Sequence, residues 1–154
     1  MLSLKSVEYS VGEFKLKADF KIPRLSKVAL IGPSGAGKST LLSLISGFLK
    51  PNSGSIIIDN EDVTTKLSNQ RRVTTIFQDG NLFPHLTVKK NISLGLRPDL
   101  RLNSAQQSVL DYAIDRVGLT DLVDRKPGSL SGGQQSIVSL ARALVRDCPL
   151  LLLD

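Results

Sequence analysis

Apolar and polar residues alternate over Leu2–Tyr9 and again over Phe14–Ile22, with Gly12 between the two runs. Period-two alternation broken by a glycine turn predicts a β-hairpin. "KVALI", Lys27–Ile31, is more uniformly apolar and predicts a third, buried strand running into a glycine-rich turn. A helix is expected from about Lys38 to Ser46, with Leu41, Leu42, Leu44 and Ile45 on its buried side. "KPNSGS" marks a turn, "IIID" a short strand after it, and Val73–Phe77 another buried strand.

From about Asp79 to Asp124 the strand signal fades. Thr87 offers an N-cap, and "NSAQQSVLDYAIDRVG" reads as an amphipathic helix capped by Asn103 or Ser104 and ended by Gly118. Its Leu110, Ile114 and Val117 share one side. A last helix begins near Gly132. Ile137, Val138, Leu140, Ala141, Leu144 and Val145 make it apolar around most of its circumference, which predicts that it is largely covered. It leads into "DCPLLLLD", whose four leucines predict a strand buried on both faces in the middle of a sheet. The pattern as a whole, with a helical insertion between two sets of buried strands, is that of an α/β domain.

The chain has 154 residues, enough for one domain with a substantial core, and its 41% hydrophobic content argues against a mostly disordered chain. No apolar run approaches the ~20 residues that span a bilayer. The N-terminus has neither the basic stretch nor the long apolar core of a secretory signal, and the single cysteine, Cys148, fits a reducing compartment, so a cytoplasmic protein is expected. A net charge of +6 raises the question of nucleic acid. The basic residues are scattered, in pairs at most, which favours a solvated surface and no nucleic-acid partner. Cys148 reads as a small packing residue, and His85, the only histidine, as a loop residue without a catalytic role.

"GPSGAGKST", Gly32–Thr40, fills every fixed position of G-x-x-x-x-G-K-[ST] between a predicted strand and a predicted helix. Gly32, Gly35 and Gly37 let backbone N–H groups approach an anion, and Pro33, Ser34 and Ala36 complete the loop. Lys38 is placed to reach β- and γ-phosphates, and Ser39 to ligate Mg2+. A Rossmann dinucleotide site is disfavoured, since G-x-G-x-x-G spacing is absent. "LSGGQ", Leu130–Gln134, is a second glycine-rich turn at a helix start, with Ser131 as cap and Gly132 and Gly133 exposing backbone donors. Standing alone, it reads either as an ordinary serine-capped helix or as an anion site. As an anion site it completes the first loop of a second copy in a twofold dimer.

In order, "GPSGAGKST", "TTIFQDGNLFPHLTV", "LSGGQ" and "LARALVRDCPLLLLD" resemble the ATP-binding subunits of ABC transporters over the whole chain. They are similar to that family's Walker A loop, Q-loop, signature motif and Walker B strand. The resemblance implies a P-loop NTPase fold with an N-terminal antiparallel β-hairpin, forming a single nucleotide-binding domain over 1–154 with a helical subdomain at about 79–130. It also implies ATP and Mg2+ as cofactors. Lys38, Gln78 and Asp154 take the catalytic positions, and Ser39, Gln78 and Asp154 the metal. Gly32–Thr40 bind the phosphates, Tyr9 stacks on adenine, and Ser131, Gly132, Gly133 and Gln134 complete the site of a partner copy.

The implied partners are a second copy, transmembrane permease subunits and, indirectly, a periplasmic substrate-binding protein, at the cytoplasmic face of the inner membrane. Asn81–Gln107 resembles the ATPase subunits of bacterial thiamine importers more than molybdate, iron or polyamine relatives. Two departures qualify the match. Gln135, Ser136 and Ile137 stand where basic residues usually follow the signature. The family's next glutamate and switch histidine would lie beyond Asp154, so the expectation is a fold lacking its C-terminal part and negligible hydrolysis. A soluble ABC ATPase of DNA repair or translation and a non-hydrolysing nucleotide-binding module are the competing classes.

Overall fold

The computed structural model describes residues 1–77 and 82–154. The chain divides into two compact units, Met1–Val73 with Asp154, and Thr74–Leu153.

In the first unit β1 (Leu2–Val11) and β2 (Phe14–Ile22) form the expected hairpin. β3 (Ser53–Ile58) and the short β4 (Glu61–Asp62) extend it to an antiparallel sheet of order β2-β1-β3-β4. Leu2 faces Ile22 and Leu4 faces Phe20, but Val7 then faces Ala18, so three steps along β1 match two along β2. That is a β-bulge, and it holds Ser6 at φ 45°. The extra residue shifts the side-chain phase. Leu2, Leu4, Val7 and Tyr9 lie opposite Ile22, Phe20, Ala18 and Leu16, which alternate without interruption along one face of β2.

Helix α1 (Lys38–Ser46) buries Leu41, Leu44 and Ile45. Arg71, two residues before β5 (Val73–Ile76), is 3% exposed. Its Nη1 donates to the α1 carbonyls of Leu44 (2.7 Å) and Ile45 (2.9 Å), Nε to Lys66 O (2.9 Å) and Nη2 to Thr64 O (3.2 Å). Burial pushes its pKa below the ordinary arginine value, and the Asp62 carboxylate opposes that shift.

Two predicted strands differ. Residues 27–31 are not a strand: Val28, Leu30 and Ile31 are exposed, the last at 91%. No described strand pairs with this segment, and extended backbone without a ladder partner gains no sheet hydrogen bonds. The terminal leucines do form β6 (Leu150–Leu153), but in a two-stranded sheet with β5. Only Leu152 is buried, while Leu151 and Leu153 are exposed, because period two turns alternate leucines to opposite faces.

The second unit is mainly helical. α2 (Val88–Ser93), α3 (Ser104–Arg116) and α4 (Gly132–Leu144) enclose Val88, Ile92, Leu110, Ile114, Leu119, Leu130, Val138, Ala141 and Val145. The predicted caps are in place. Thr87 Oγ1 accepts from Lys90 N–H, Asn103 and Gln106 form a capping box, and Gly118 follows α3 at φ +69°. Helix α4 is covered on one flank only. Val138 and Ala141 are buried, whereas Ile137, Leu140 and Leu144 are exposed, contrary to the expectation of a largely covered helix. Apolar composition all round does not by itself supply a neighbour on each side. Among the described residues, no helix is long and apolar enough to cross a membrane.

Asn91 is fully buried in α2. Its Oδ1 accepts from Phe83 N–H (2.8 Å), and its Nδ2 donates to the carbonyls of Phe83, Leu86 and Thr87 (3.1 Å each). Asn91→Ala leaves these buried groups unpaired and is expected to lower stability by about 2–4 kcal/mol, read as a reduced urea midpoint.

Candidate nucleotide site

Gly37 sits at the N-cap of α1 with φ +88° and offers no side-chain cap. The first N–H groups of the helix, which belong to the end of the glycine loop, therefore have no side-chain cap. The approach at Gly37 is close, so a side chain there would have to displace Phe14 and Leu16. A Cβ there would lie 2.8 Å from Phe14 Cζ and 3.1 Å from Leu16 Cδ1. Within the loop, Ala36 N–H donates to Pro33 O at 3.3 Å.

Lys38 Nζ folds back onto the loop and donates to the carbonyls of Gly32 (2.9 Å) and Pro33 (2.8 Å). Those bonds hold the ammonium against the backbone of the loop. Next to it, Ser39 Oγ donates to Asp154 Oδ1 at 2.9 Å, across 115 positions of sequence. Among the described residues, no group of three or more His, Cys, Asp or Glu side chains could hold a metal ion. One hydroxyl and one carboxylate do suit Mg2+ carried in with phosphate oxygens, because this ion keeps most of its shell as water and phosphate.

The loop opens into a cleft of about 470 Å³ lined by Tyr9, Val11, Phe14, Lys38, Ser39 and their neighbours Ser34, Gly35, Gly37, Thr40 and Leu49. Tyr9 is half-buried. The first unit thus brings together Tyr9, the glycine loop and Asp154. Val11, Phe14 and Leu49 escaped the sequence reading. No local signal marks them, because each reaches the cleft through contacts far apart in sequence, as Phe14 does with Gly37.

The second glycine turn lies in the second unit. Ser131 caps α4: its Oγ accepts from Gln134 N–H (3.3 Å), and Gln134 Oε1 accepts from Ser131 N–H (2.9 Å). An added Cβ would find open space at both Gly132 and Gly133. Gln135, at a position of expected basic character, turns inward and donates to the carbonyls of Pro127 (3.1 Å) and Leu130 (3.3 Å). It braces the turn from behind. Gln78 lies outside the described residues.

A P-loop at the start of α1 and a serine-capped GGQ turn at the start of α4, on a mixed α/β frame, define an ATP-binding cassette. The chain belongs to the ABC transporter family, whose model matches residues 16–154. Over all 154 residues it is 49% identical to the thiamine import ATP-binding protein ThiQ of Shigella sonnei (strain Ss046) and 48% identical to that of Yersinia pestis. It spans 66% and 65% of the length of those relatives. Among solved structures it is similar to a dimeric, post-hydrolysis ATP-binding cassette bound to ADP and Pi. There the TM-score is 0.83 and the identity 31%, with coverage of 100% of this chain and 73% of that one. It is also similar to a nucleotide-free ATP-binding cassette from an ABC transporter, with TM-score 0.84, 27% identity and coverage of 99% and 68%. The expected ABC ATPase fold is therefore the fold observed.

Proposed function

We propose that this protein is the ATP-binding subunit of an ABC importer for thiamine and its phosphates, with hydrolysis the activity of the full-length family member and negligible for these 154 residues alone. The carrying observation is the uncapped α1 N-terminus, with Lys38 and Ser39 lining the same cleft as Tyr9 and with Asp154 bonded to Ser39. In this reading Tyr9 stacks on adenine, the N–H groups of Gly32–Thr40 surround the phosphates, and Lys38 exchanges its two carbonyls for β- and γ-phosphate oxygens. Ser39 and Asp154, with Gln78, are the side chains that hold Mg2+, which neutralises phosphate charge when bound.

Ser131, Gly132, Gly133 and Gln134 approach the triphosphate held by a second copy, so nucleotide closes two chains head to tail. The segment at about 79–130 docks on permease subunits at the cytoplasmic face of the membrane, and closure is transmitted there, with a periplasmic binding protein engaged indirectly. Similarity to the thiamine import proteins supports the choice of cargo.

The arrangement is tested with Ser131→Cys carrying a short photo-crosslinker, in the presence of ATP and Mg2+. A link from residue 131 to the glycine loop of a different copy is expected. A link confined to one chain sinks the head-to-tail dimer. Affinity capture from bacterial membranes is expected to recover the thiamine permease, and recovery of a different permease alone refutes the cargo.

A further inference from the structure

Helix α1 has no basic residue in its last turn, so the cation at its C-terminal end comes from elsewhere in the chain. Arg71 provides it, and its contacts do more than neutralise a dipole. One guanidinium nitrogen spans the carbonyls of Leu44 and Ile45, while the other two hold Lys66 O and Thr64 O. Thr64 is itself tied to the sheet, with its Oγ1 accepting from Ile56 N–H of β3 at 2.9 Å. β3 pairs with β1, the strand that carries Tyr9. A continuous set of hydrogen bonds therefore runs from the far end of the phosphate-loop helix to the sheet bearing the aromatic wall of the cleft. The fit is tight: a Cβ on Gly47, just past α1, would lie 2.5 Å from Arg71 Nε.

We propose that Arg71 is a positioning residue for nucleotide, locking α1 to the β1–β3 sheet so that Lys38 and Ser39 stand at a fixed distance from Tyr9. A nine-residue helix is short and stiff, with a rise of about 1.5 Å per residue, so play at its C-terminal carbonyls becomes displacement or tilt at its first turn. Arginine suits the task because its planar fork meets carbonyls on two sides at once. An ammonium is a single point on a flexible stem. This role rests on the nucleotide reading above.

The test compares Arg71→Met, Arg71→Lys and Asn91→Ala, the last being a destabilising change in the other unit, at a temperature where each is folded. ADP affinity is measured by calorimetry with Mg2+ present, and the 31P resonance of the ADP β-phosphate is read at saturation, where the folded fraction no longer matters. Both Arg71 variants are expected to bind ADP about tenfold more weakly. Their β-phosphate resonance should move back toward that of free ADP, whereas Asn91→Ala stays within twofold of the unsubstituted protein with an unchanged resonance.

If Arg71→Met does not fold, Arg71→Lys, which keeps charge and a donor, decides alone. Unchanged affinity and resonance in the Arg71 variants overturn the proposal. Full recovery in Arg71→Lys also overturns it, by reducing the role to charge. An unsubstituted protein that does not bind ADP overturns the nucleotide reading itself, and this role with it.

Discussion

Lys38→Ala is expected to weaken ATP and ADP binding by at least about 100-fold while leaving the thermal midpoint almost unchanged. The two halves of this result have separate origins. The ammonium donates to Gly32 O and Pro33 O in an exposed setting, and losing such contacts shifts stability by no more than about 0.5 kcal/mol. Toward a triphosphate the same group makes charge-assisted hydrogen bonds, about twice as strong as neutral ones, at the place where negative charge is concentrated. A loss of about 3 kcal/mol there corresponds to two orders of magnitude in affinity. Calorimetric titration with ADP, paired with a thermal melt, reads both. Binding retained within threefold would show that the lysine does not face the phosphates.

Gly37→Val is expected to do the opposite, damaging fold and site together. The backbone at φ +88° costs an L-residue about 1–2 kcal/mol, and a β-branched side chain more. The new side chain also enters space held by Phe14 and Leu16, an overpacking term of about 1–3 kcal/mol. Together these remove about 2–5 kcal/mol from a domain whose total is of the order of 5–15. The measurement is a urea titration followed by ADP binding on whatever remains folded, and no binding is expected. A normal urea midpoint would mean that the loop relaxes away from the hairpin.

Much of the structure was readable locally. The hairpin, α1 and the caps of α2, α3 and α4 depend on residues within a few positions of one another, and Thr87, Asn103, Ser131 and Gly118 announce themselves. The segment 27–31 and the terminal leucines were misread because a strand is defined by its neighbours as much as by its own apolarity. Arg71 passed as one more scattered surface charge. Nothing near it in sequence shows that it would be buried, since the helix carbonyls it meets lie 26 and 27 positions earlier.

The candidate site divides in the same way. The glycine loop and its lysine were legible from spacing and chemistry. The pairing of Ser39 with Asp154, and the presence of Tyr9 beside the loop, join distant parts of the chain and were reachable only through the family resemblance.

The bulge at Ser6 keeps both halves of β1 on one face of the sheet. The inserted residue resets the count, so that Val7 stays in the core and Tyr9 reaches the wall of the cleft. Anyone grafting this edge onto another scaffold must carry the irregularity along, because an idealised strand of the same composition would deliver its tyrosine to the wrong side.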